Sequence, residues 1–321
     1  MSFLPLTEKT RRRPGARLVL VLFAAAAGSV SAQSLDIPSK KWGLSFGNSK
    51  EFTGLRFNFR DHGVVRITGA NVTLWTPRTL GEEDDSSVTG LSLGLVPGAG
   101  RMRGIQLGLL GVAGNRSVAG VSAGLLGVGA GENVSGFNFG GLGVGAGGSV
   151  AGINLGGLGV GAGDNVLGIN IGGLGVGAGK NVTGINIGGL GVGAGGCLTG
   201  INIGGLGVGA GERLAGISVS GIGAGAESVA GLAIAGIGVG GRRLSGVFAA
   251  GAVIKLVDDG RLRGVAVSPF NQLKGTLAGL SIGIVNYARR IEKGFQLGLV
   301  NIVRENKPGL RVLPLFNADF R

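Results

Sequence analysis

The central part of the chain alternates apolar residues with glycine or small polar residues in a fixed phase. In the unit 168–183, Ile169 and Ile171 alternate with Gly and Asn, and the run from Leu174 to Ala178 alternates Leu, Val and Ala with Gly. A period of two is typical of β-strands, in which every second side chain lies on the same side. The unit therefore predicts two short strands, each with one apolar side.

The phase of this alternation changes at two places in the unit. It changes across the pair Gly172-Gly173 and again across Thr183-Gly184, on either side of a polar turn at 179–181. Glycine supplies the backbone conformations that sharp corners need, and Asn is suited to a left-handed turn. These changes predict corners at which the chain bends while Ile, Leu, Val and Ala keep pointing inward.

The unit repeats along most of the chain, usually every 14–16 residues. Its start is a Gly followed by an apolar, a variable and a second apolar residue, and the two longer spacings, after Gly69 and Gly246, predict insertions in turns. The 17 starts are Gly54, Gly69, Gly90, Gly104, Gly120, Gly136, Gly152, Gly168, Gly184, Gly200, Gly216, Gly231, Gly246, Gly264, Gly279, Gly294 and Gly309. A short fixed period is typical of proteins that stack one small unit. We predict an all-β fold, a parallel β-solenoid of about 17 short Gly-rich coils forming a rod of roughly 80 Å.

The alternative fold is an antiparallel β-meander or β-barrel with one strand per repeat. A strand that spans a membrane needs about 9–11 residues in one phase, whereas the phase in this chain changes within each repeat. The chain also has one Tyr and two Trp, which is too few for the aromatic girdles of such barrels. Helices are disfavoured because 72 of the 321 residues are Gly, and each Gly costs about 1 kcal/mol in a helix.

The first 32 residues have the features of a secretory signal peptide. A basic stretch from Lys9 to Arg17 precedes an apolar run from Leu18 to Ala27, and small residues end at Ala32. The apolar run is too short to span a membrane as a helix. We therefore expect an exported chain whose mature part begins after residue 32.

The sequence predicts that the mature part is one continuous array of repeats with three sections. Residues 33–103 form an N-terminal cap with divergent repeats, residues 104–245 hold the regular 16-residue repeats, and residues 246–321 hold divergent basic repeats and a C-terminal cap. Terminal units that depart from the consensus are typical of repeat proteins, because the end coils must close the stack.

Residues suited to catalysis or metal binding are sparse. The chain has a single His, His62, beside Asp61 in a charged turn, and a single Cys, Cys197, where sibling repeats have Asn or Ser. A zinc cluster needs several such ligands. The Gly-rich runs lack the downstream residues of a phosphate loop, and a calcium-binding repeat needs Asp where this chain has Gly161. We predict no enzyme activity, no cofactor and no metal site.

Five asparagines recur at one position of the repeat and form a candidate surface ladder: Asn138, Asn154, Asn170, Asn186 and Asn202. In a solenoid they would stack along an outward strand face, where side-chain amides can hydrogen-bond along the axis. The ladder would stiffen the stack, or it would offer a flat polar face to a repetitive partner such as a glycan. The neighbouring face has Gly at its outward positions, which motivates a hypothesis of self-association.

The positive charge of the chain is concentrated at its C-terminal end. The net charge is +13, and residues 242–321 carry 13 Lys or Arg against 5 Asp or Glu, a net +8. Five basic residues in turns are candidates for anion binding: Arg242, Arg243, Arg289, Arg290 and Lys293. Phosphates of lipopolysaccharide or an acidic envelope polysaccharide would be suitable partners. No motif specific for nucleic acid is present.

The repeats near the C-terminus carry a second motif. The segments Gly279-Leu-Ser-Ile-Gly-Ile-Val-Asn286 and Gly294-Phe-Gln-Leu-Gly-Leu-Val-Asn301 share it, and Gly104-Ile-Gln-Leu-Gly-Leu-Leu is close to it. This pattern resembles exported bacterial surface-repeat proteins, including the surface-repeat lipoproteins of spirochaetes. The resemblance implies an envelope or surface location and no catalysis. The chain lacks the Cys that anchors the lipoprotein members, so lipid attachment is not implied.

Together these features predict an exported, non-enzymatic repeat protein of the cell envelope with a structural or surface-interaction role. We expect it in the periplasm, at the outer membrane or on the cell surface. An outer-membrane β-barrel or a membrane-associated protein is the alternative.

Overall fold

The computed structural model describes residues 34–78 and 85–319. The predicted signal peptide, 1–32, lies outside these ranges. The described residues form an all-β structure without helices, a parallel β-solenoid of about 15 turns. The predicted fold class is therefore confirmed. None of the described residues belongs to a helix that is long and apolar enough to cross a membrane.

The described residues form 27 strands, numbered here in chain order. The N-terminal strands are β1 Leu35–Pro38, β2 Trp42–Phe46, β3 Glu51–Asn58, β4 Arg66–Thr73, β5 Ser87–Gly94, β6 Gly98–Gly108 and β7 Gly111–Gly124. The regular repeats contain β8 Gly127–Ala130, β9 Asn133–Gly140, β10 Gly143–Ala146, β11 Ser149–Gly156, β12 Gly159–Ala162, β13 Asn165–Gly172, β14 Gly175–Ala178, β15 Asn181–Gly188, β16 Gly191–Ala194, β17 Cys197–Gly204, β18 Gly207–Ala210, β19 Arg213–Ser220, β20 Gly223–Gly225 and β21 Ser228–Ala235. The C-terminal strands are β22 Gly238–Ala250, β23 Val253–Val267, β24 Phe270–Ile282, β25 Val285–Ile291, β26 Gly294–Val303 and β27 Val312–Asp319.

Successive repeats pair in parallel and in register, residue for residue. In the pairing of β13 with β15, Gly168 lies beside Gly184 and Asn170 beside Asn186. The short strands β14 and β16 pair in the same way. Because successive repeats pair in parallel, the alternative of an antiparallel β-meander with one strand per repeat was wrong. Each position of the repeat consequently forms a column of equivalent side chains along the rod.

Each regular coil consists of one long and one short strand. In the coil 181–196, β15 is followed by a turn at 189–190, β16 and a second turn at 195–196. Gly184 divides β15 at a positive φ of 119°. We call residues before this glycine the leading face, residues 185–188 and their equivalents the apolar face, and β16 and its equivalents the glycine face. The glycine at the division is called the column glycine.

The side chains that point inward differ from those predicted. Val182, Asn186 and Val192 are buried, whereas Ile185 and Leu190 are exposed. The alternation of β15 runs unbroken through Thr183-Gly184, so the predicted change of phase there was wrong. That prediction assumed that every apolar residue lies inside. The interior instead takes one Val and one Asn from the long strand and one Val from the short strand.

Two columns of apolar side chains build the core. One precedes the column glycines by two residues and includes Ile67, Val88 and Met102 as well as Val182 of the regular repeats. The other runs through the short strands and includes Val192. Partly buried alanines of the glycine face, such as Ala194, pack against it. The core is therefore thin and continuous along the rod.

Close approach between coils explains most of the conserved spacing of Gly within the repeat. A Cβ on Gly168, Gly173 or Gly179 would lie closer than 3.0 Å to a carbonyl oxygen of the preceding coil. A Cβ on Gly172 would overlap the carbonyl of Gly175 in its own coil. In contrast, a Cβ on Gly177 would find its nearest neighbour at 3.8 Å. Glycine is thus required at the corners, whereas the third position of the short strand, occupied by Gly177, has room for a Cβ.

The two ends of the stack are closed by antiparallel strands. β1 pairs antiparallel with β2, and β27 pairs antiparallel with β26. Gly309 therefore starts no parallel coil, while Gly43 adds an early one beside Gly54. A bare strand edge can recruit another chain, so reversed strands at both ends limit growth of the stack.

The predicted insertion after Gly246 is visible as an irregularity in pairing. β23 and β24 pair in register up to Leu256 and resume at Arg261, so that four residues of β23, 257–260, lie opposite two of β24, 274–275. Asp259 lies there with a positive φ of 58°. The insertion after Gly69 falls partly in 79–84, outside the described residues.

The glycine requirement gives a matched test within one coil. We expect Gly168→Ala to lower the free energy of unfolding by at least about 2 kcal/mol, because it combines a positive φ with a carbonyl overlap. Gly177→Ala should change it by less than about 0.5 kcal/mol, because the nearest neighbour of the new methyl is 3.8 Å away, an ordinary van der Waals contact. Urea unfolding followed by circular dichroism measures both. Equal losses for the two variants would contradict this account.

Candidate functional site

One side of the rod carries stacked apolar side chains that face solvent. Three columns form it: the residue after each column glycine, the residue two further on, and a Leu or Ile at the next corner. In one coil these are Ile169, Ile171 and Leu174, with 39%, 39% and 49% of their surface exposed. Register extends the first two columns from Ile105 and Leu107 onward through Phe137 and Phe139 and along the regular repeats. The corner column runs through Leu142, Leu158, Leu174, Leu190, Leu206, Ile222 and Ile237.

The apolar face is free of charge along nearly the whole rod. In each of the 15 repeats that start from Gly69 to Gly294, the six residues after the starting glycine include no Asp, Glu, Lys or Arg. With about 4.8 Å per coil and about 12 Å across three columns, the face covers roughly 800–900 Å². The largest apolar patch on a typical monomer is about 300–600 Å². A face of this size is therefore a candidate interaction site.

Charged side chains lie away from this face. Lys180 and Asp164 form an exposed ion pair of 2.7 Å at the turn between the glycine face and the leading face. Exposed pairs of this kind contribute about 0–1 kcal/mol to stability. The location of this ion pair shows that charged and apolar surfaces are separated, because the rod has a charged edge on one side and an apolar face on another.

The five repeat asparagines form a ladder, but it lies inside the solenoid. Asn138, Asn154, Asn170, Asn186 and Asn202 are all fully buried. The amide nitrogen of each of the first four donates to the amide oxygen of the next asparagine, at 2.8, 2.8, 2.9 and 2.9 Å in order. The prediction of an outward ladder, available to a glycan, was therefore wrong. The coil spacing lets each buried amide find a partner, which removes the usual penalty for burying a polar group.

The ladder belongs to a longer polar column. Its two end atoms, Asn138 Oδ1 and Asn202 Nδ2, have no hydrogen-bond partner among the described residues. Towards the N-terminus the column continues with Ser122 and Gln106, whose side chains hydrogen-bond at 2.8 Å. Beyond Asn202 it passes to Ser218. The asparagine ladder therefore ends on both sides at a coil that has Ser at this position.

At the N-terminal end the same column contains a buried charge. Arg56 is fully buried and forms an ion pair of 2.6 Å with Asp61. It also donates to Asn71 at 2.7 Å and to Asn48 at 3.0 Å. Removing one partner of a buried ion pair typically costs about 3–5 kcal/mol. This network ties the first coils together and was not predicted from the sequence.

A second amide ladder lies in the C-terminal coils. Asn271 donates to Asn286 at 2.8 Å, and Asn286 donates to Asn301 at 2.8 Å. All three are fully buried. They occupy the column that holds the short-strand valines in the regular repeats, because Ile254 pairs with Asn271. The Asn residues of the C-terminal motif therefore lie in the interior and hydrogen-bond to one another.

The C-terminal basic candidates do not form one cluster of unpaired charge. Arg243, Arg289 and Arg290 each pair with carboxylates: Arg243 with Glu227 at 3.7 Å, Arg289 with Glu305 at 2.8 Å and with Asp259, and Arg290 with Glu292. The hydrogen bond to Glu305 and the nearby charge of Asp259 raise the pKa of Arg289. Arg243 and Arg290 share a column but are three coils apart.

The remaining two candidates, Arg242 and Lys293, have no carboxylate within ion-pair distance among the described residues. The prediction of a turn was wrong for Arg242, which lies in β22 where the pairing shifts register between Gly241 and Arg243. Lys293 lies in the turn between β25 and β26. Lys293 adopts a positive φ of 50°. Register places Arg242 several coils before Lys293, so the two do not share a site. Like Arg242, the candidates Arg243, Arg289 and Arg290 lie in strands and not in the predicted turns. An anion bound by these candidates would therefore have to displace existing ion pairs or bind a single basic residue.

His62 and Cys197 lie far apart in the array. His62 is exposed, and its backbone contacts the side chain of Asn48. Cys197 is a free, half-buried thiol at the start of β17. No group of three or more His, Cys, Asp or Glu within the described part of the chain could hold a metal ion.

The sequence contained evidence for the apolar face, but the predicted direction of its side chains was wrong. In a strand without a change of phase, either Val182 and Asn186 lie inside or Ile185 and Ile187 do, and the structure places Val182 and Asn186 inside. The choice of Ile rested on hydrophobicity alone. The fixed recurrence of Asn at the coil period was the counter-evidence, because stacked amides satisfy one another.

Comparison with protein-family models, curated proteins and solved structures finds no match to this chain.

The ladder gives a test of the interior. We expect Asn170→Ala to lower the free energy of unfolding by about 2–4 kcal/mol, because it leaves Asn154 Nδ2 and Asn186 Oδ1 buried without partners. The control is Leu167→Ala, an exposed residue of the same coil, with an expected loss under about 1 kcal/mol. Urea unfolding and hydrogen exchange of the coil measure the effect. A larger loss for the control would contradict a structural role for the ladder.

Proposed function

We propose that the chain is an exported, non-enzymatic repeat protein of the bacterial cell envelope that acts as a rigid rod and holds its partner along the apolar face. The observation that carries this proposal is that the columns of exposed apolar side chains on that face continue from coil to coil without a charged residue. A rod formed by identical coils presents the same contact at every step. Such a surface suits a long, uniform partner better than a small substrate.

Three further features support the proposal. The leader-like segment 1–32 supports export. The C-terminal motif resembles exported bacterial surface-repeat proteins, which supports an envelope location. The area of roughly 800–900 Å² matches the surface that one partner buries in a standard protein interface, about 800 Å². A second copy of the chain would therefore be a sufficient partner.

Attachment to a lipid surface is the second candidate. A shallow apolar groove of about 610 Å³ lies near the C-terminal end of the apolar face, lined by Val267, Ile282, Ile284 and Leu297 among others. The surrounding section, 242–321, has a net charge of +8. Apolar contact combined with positive charge favours binding to anionic lipids.

Export is tested by expressing the full chain in a Gram-negative host. We expect the envelope fraction to contain a chain that begins at Gln33. Leu20→Arg with Leu22→Arg should leave the chain uncleaved in the cytoplasm, because two charges interrupt the apolar run. Cell fractionation and N-terminal sequencing measure both. Uncleaved wild-type chain in the cytoplasm would contradict the proposal.

The apolar face is tested with two triple variants of the same three coils. Ile169→Glu, Ile185→Glu and Ile201→Glu add three charges to the apolar face, while Leu167→Glu, Thr183→Glu and Thr199→Glu add them to the leading face. We expect the first variant to remain folded but to lose self-association by at least about tenfold, because burying unpaired charge is costly. The second should behave as the wild type.

Sedimentation of the purified mature chain measures association, and flotation with anionic vesicles measures lipid binding. Loss of self-association in the first variant alone supports the first candidate. Loss of vesicle binding alone supports the second. Equal behaviour of both variants and the wild type in both assays would overturn a role for the apolar face.

A further inference from the structure

Three consecutive coils near the N-terminus form a polar concavity on the leading face. Register aligns Arg66 with Ser87 and Arg101 in one column, and Thr68 with Thr89 and Arg103 in the next. These six residues, here called the arginine pocket, enclose about 490 Å³. They surround the outward side of strands whose intervening residues, including Val88, are buried in the core. The rigid solenoid therefore fixes the spacing of all six.

The positive charge of the arginine pocket is only partly balanced. Arg101 has a carboxylate at 3.5 Å in Asp85, but Asp85 lies nearer to Arg116, at 2.9 Å. Among the residues that the structure describes, no carboxylate lies within 4.0 Å of the Arg66 or Arg103 guanidinium. Glu51 is the register neighbour of Arg66 in the preceding coil but forms no ion pair with it. The backbone places Arg66 and Arg101 about 10 Å apart, two coil steps. Three guanidinium groups held around one concavity repel one another unless an anion lies between them.

The hydroxyl groups complete the chemistry of the pocket. Ser87 and Thr89 occupy the middle coil, between Arg66 on one side and Arg101 and Arg103 on the other. Hydroxyls both donate and accept, so they can bind phosphate oxygens and sugar hydroxyls alike. Guanidinium groups match the geometry of phosphate with two parallel hydrogen bonds. None of the described residues that line the pocket is aromatic, so these residues offer no surface on which a nucleobase would stack.

We propose that the arginine pocket binds a phosphate-bearing saccharide. Its volume falls within the range of about 300–1,000 Å³ that small-molecule sites occupy. The phosphate would lie among the three arginines, and the sugar hydroxyls would contact Ser87, Thr68 and Thr89. The pocket is independent of the apolar face, which lies on another side of the coil. It differs from the C-terminal basic candidates, because Arg243, Arg289 and Arg290 already pair with carboxylates.

Titration calorimetry of the purified mature chain tests the proposal with defined probes. Glucose 6-phosphate should bind more tightly than inorganic phosphate, and glucose should not bind measurably. Vesicles of phosphatidylcholine with and without monophosphoryl lipid A identify whether a lipid-borne phosphorylated sugar is accepted as well as a free one. Binding to either form supports the pocket, and the preferred form identifies its source.

Matched variants separate a built site from net charge. Arg66→Gln with Arg103→Gln should weaken glucose 6-phosphate binding by about tenfold or more, because charge-assisted hydrogen bonds are lost. Thr89→Val keeps the charge and should weaken binding several-fold. Lys180→Gln with Arg213→Gln removes the same charge from exposed positions of the regular repeats and should leave affinity unchanged. Circular dichroism confirms that each variant is folded.

Three results would overturn the proposal. The first is that the wild type binds none of the phosphate-bearing probes. The second is that the control pair Lys180→Gln with Arg213→Gln weakens binding as much as the Arg66 and Arg103 pair, which would indicate a response to net charge. The third is that inorganic phosphate binds as tightly as glucose 6-phosphate while Thr89→Val has no effect, which would exclude recognition of the sugar.

Discussion

The structure depends on the short distance between equivalent residues of neighbouring coils. Because strands stack at about 4.8 Å, each residue meets its own counterpart above and below. At the column glycines this distance leaves no room for a Cβ, since the carbonyl of the preceding coil occupies the place. At the asparagines the same distance is favourable, because one amide reaches the next at 2.8–2.9 Å. One geometric period therefore selects both residue types.

A narrow interior follows from these contacts, and the outward face follows from the interior. Gly172 lies against the carbonyl of Gly175, so the lumen closes at that corner. Asn170 and two columns of valine fill the remaining space. The larger Ile169 and Ile171 consequently lie outside, where each is 39% exposed. The apolar face is thus a product of how the coil is packed, and it becomes available for a partner along the whole rod.

The sequence predicted the architecture more reliably than the direction of its side chains. The period, the parallel stacking and the short strands followed from the spacing of Gly168, Gly184 and their equivalents, which geometry alone requires. The direction of Asn170 did not follow, because a single buried amide is unfavourable and only its stacked neighbours satisfy it. Arg56 and Asp61 could not be paired from the sequence, since their contact depends on where the first coils close. The arginine pocket likewise required the register of three strands with unequal spacing.

The antiparallel strands β1 and β27 have a consequence for how the protein changes in length. Both ends are closed independently of the number of coils between them, and the inner contacts repeat from one unit to the next. A gene duplication or deletion of one 16-residue unit would therefore leave the ends, the glycine contacts and the amide ladder intact. The molecule would become longer or shorter by about 4.8 Å. Its length is a heritable variable that can change in single steps without a new fold.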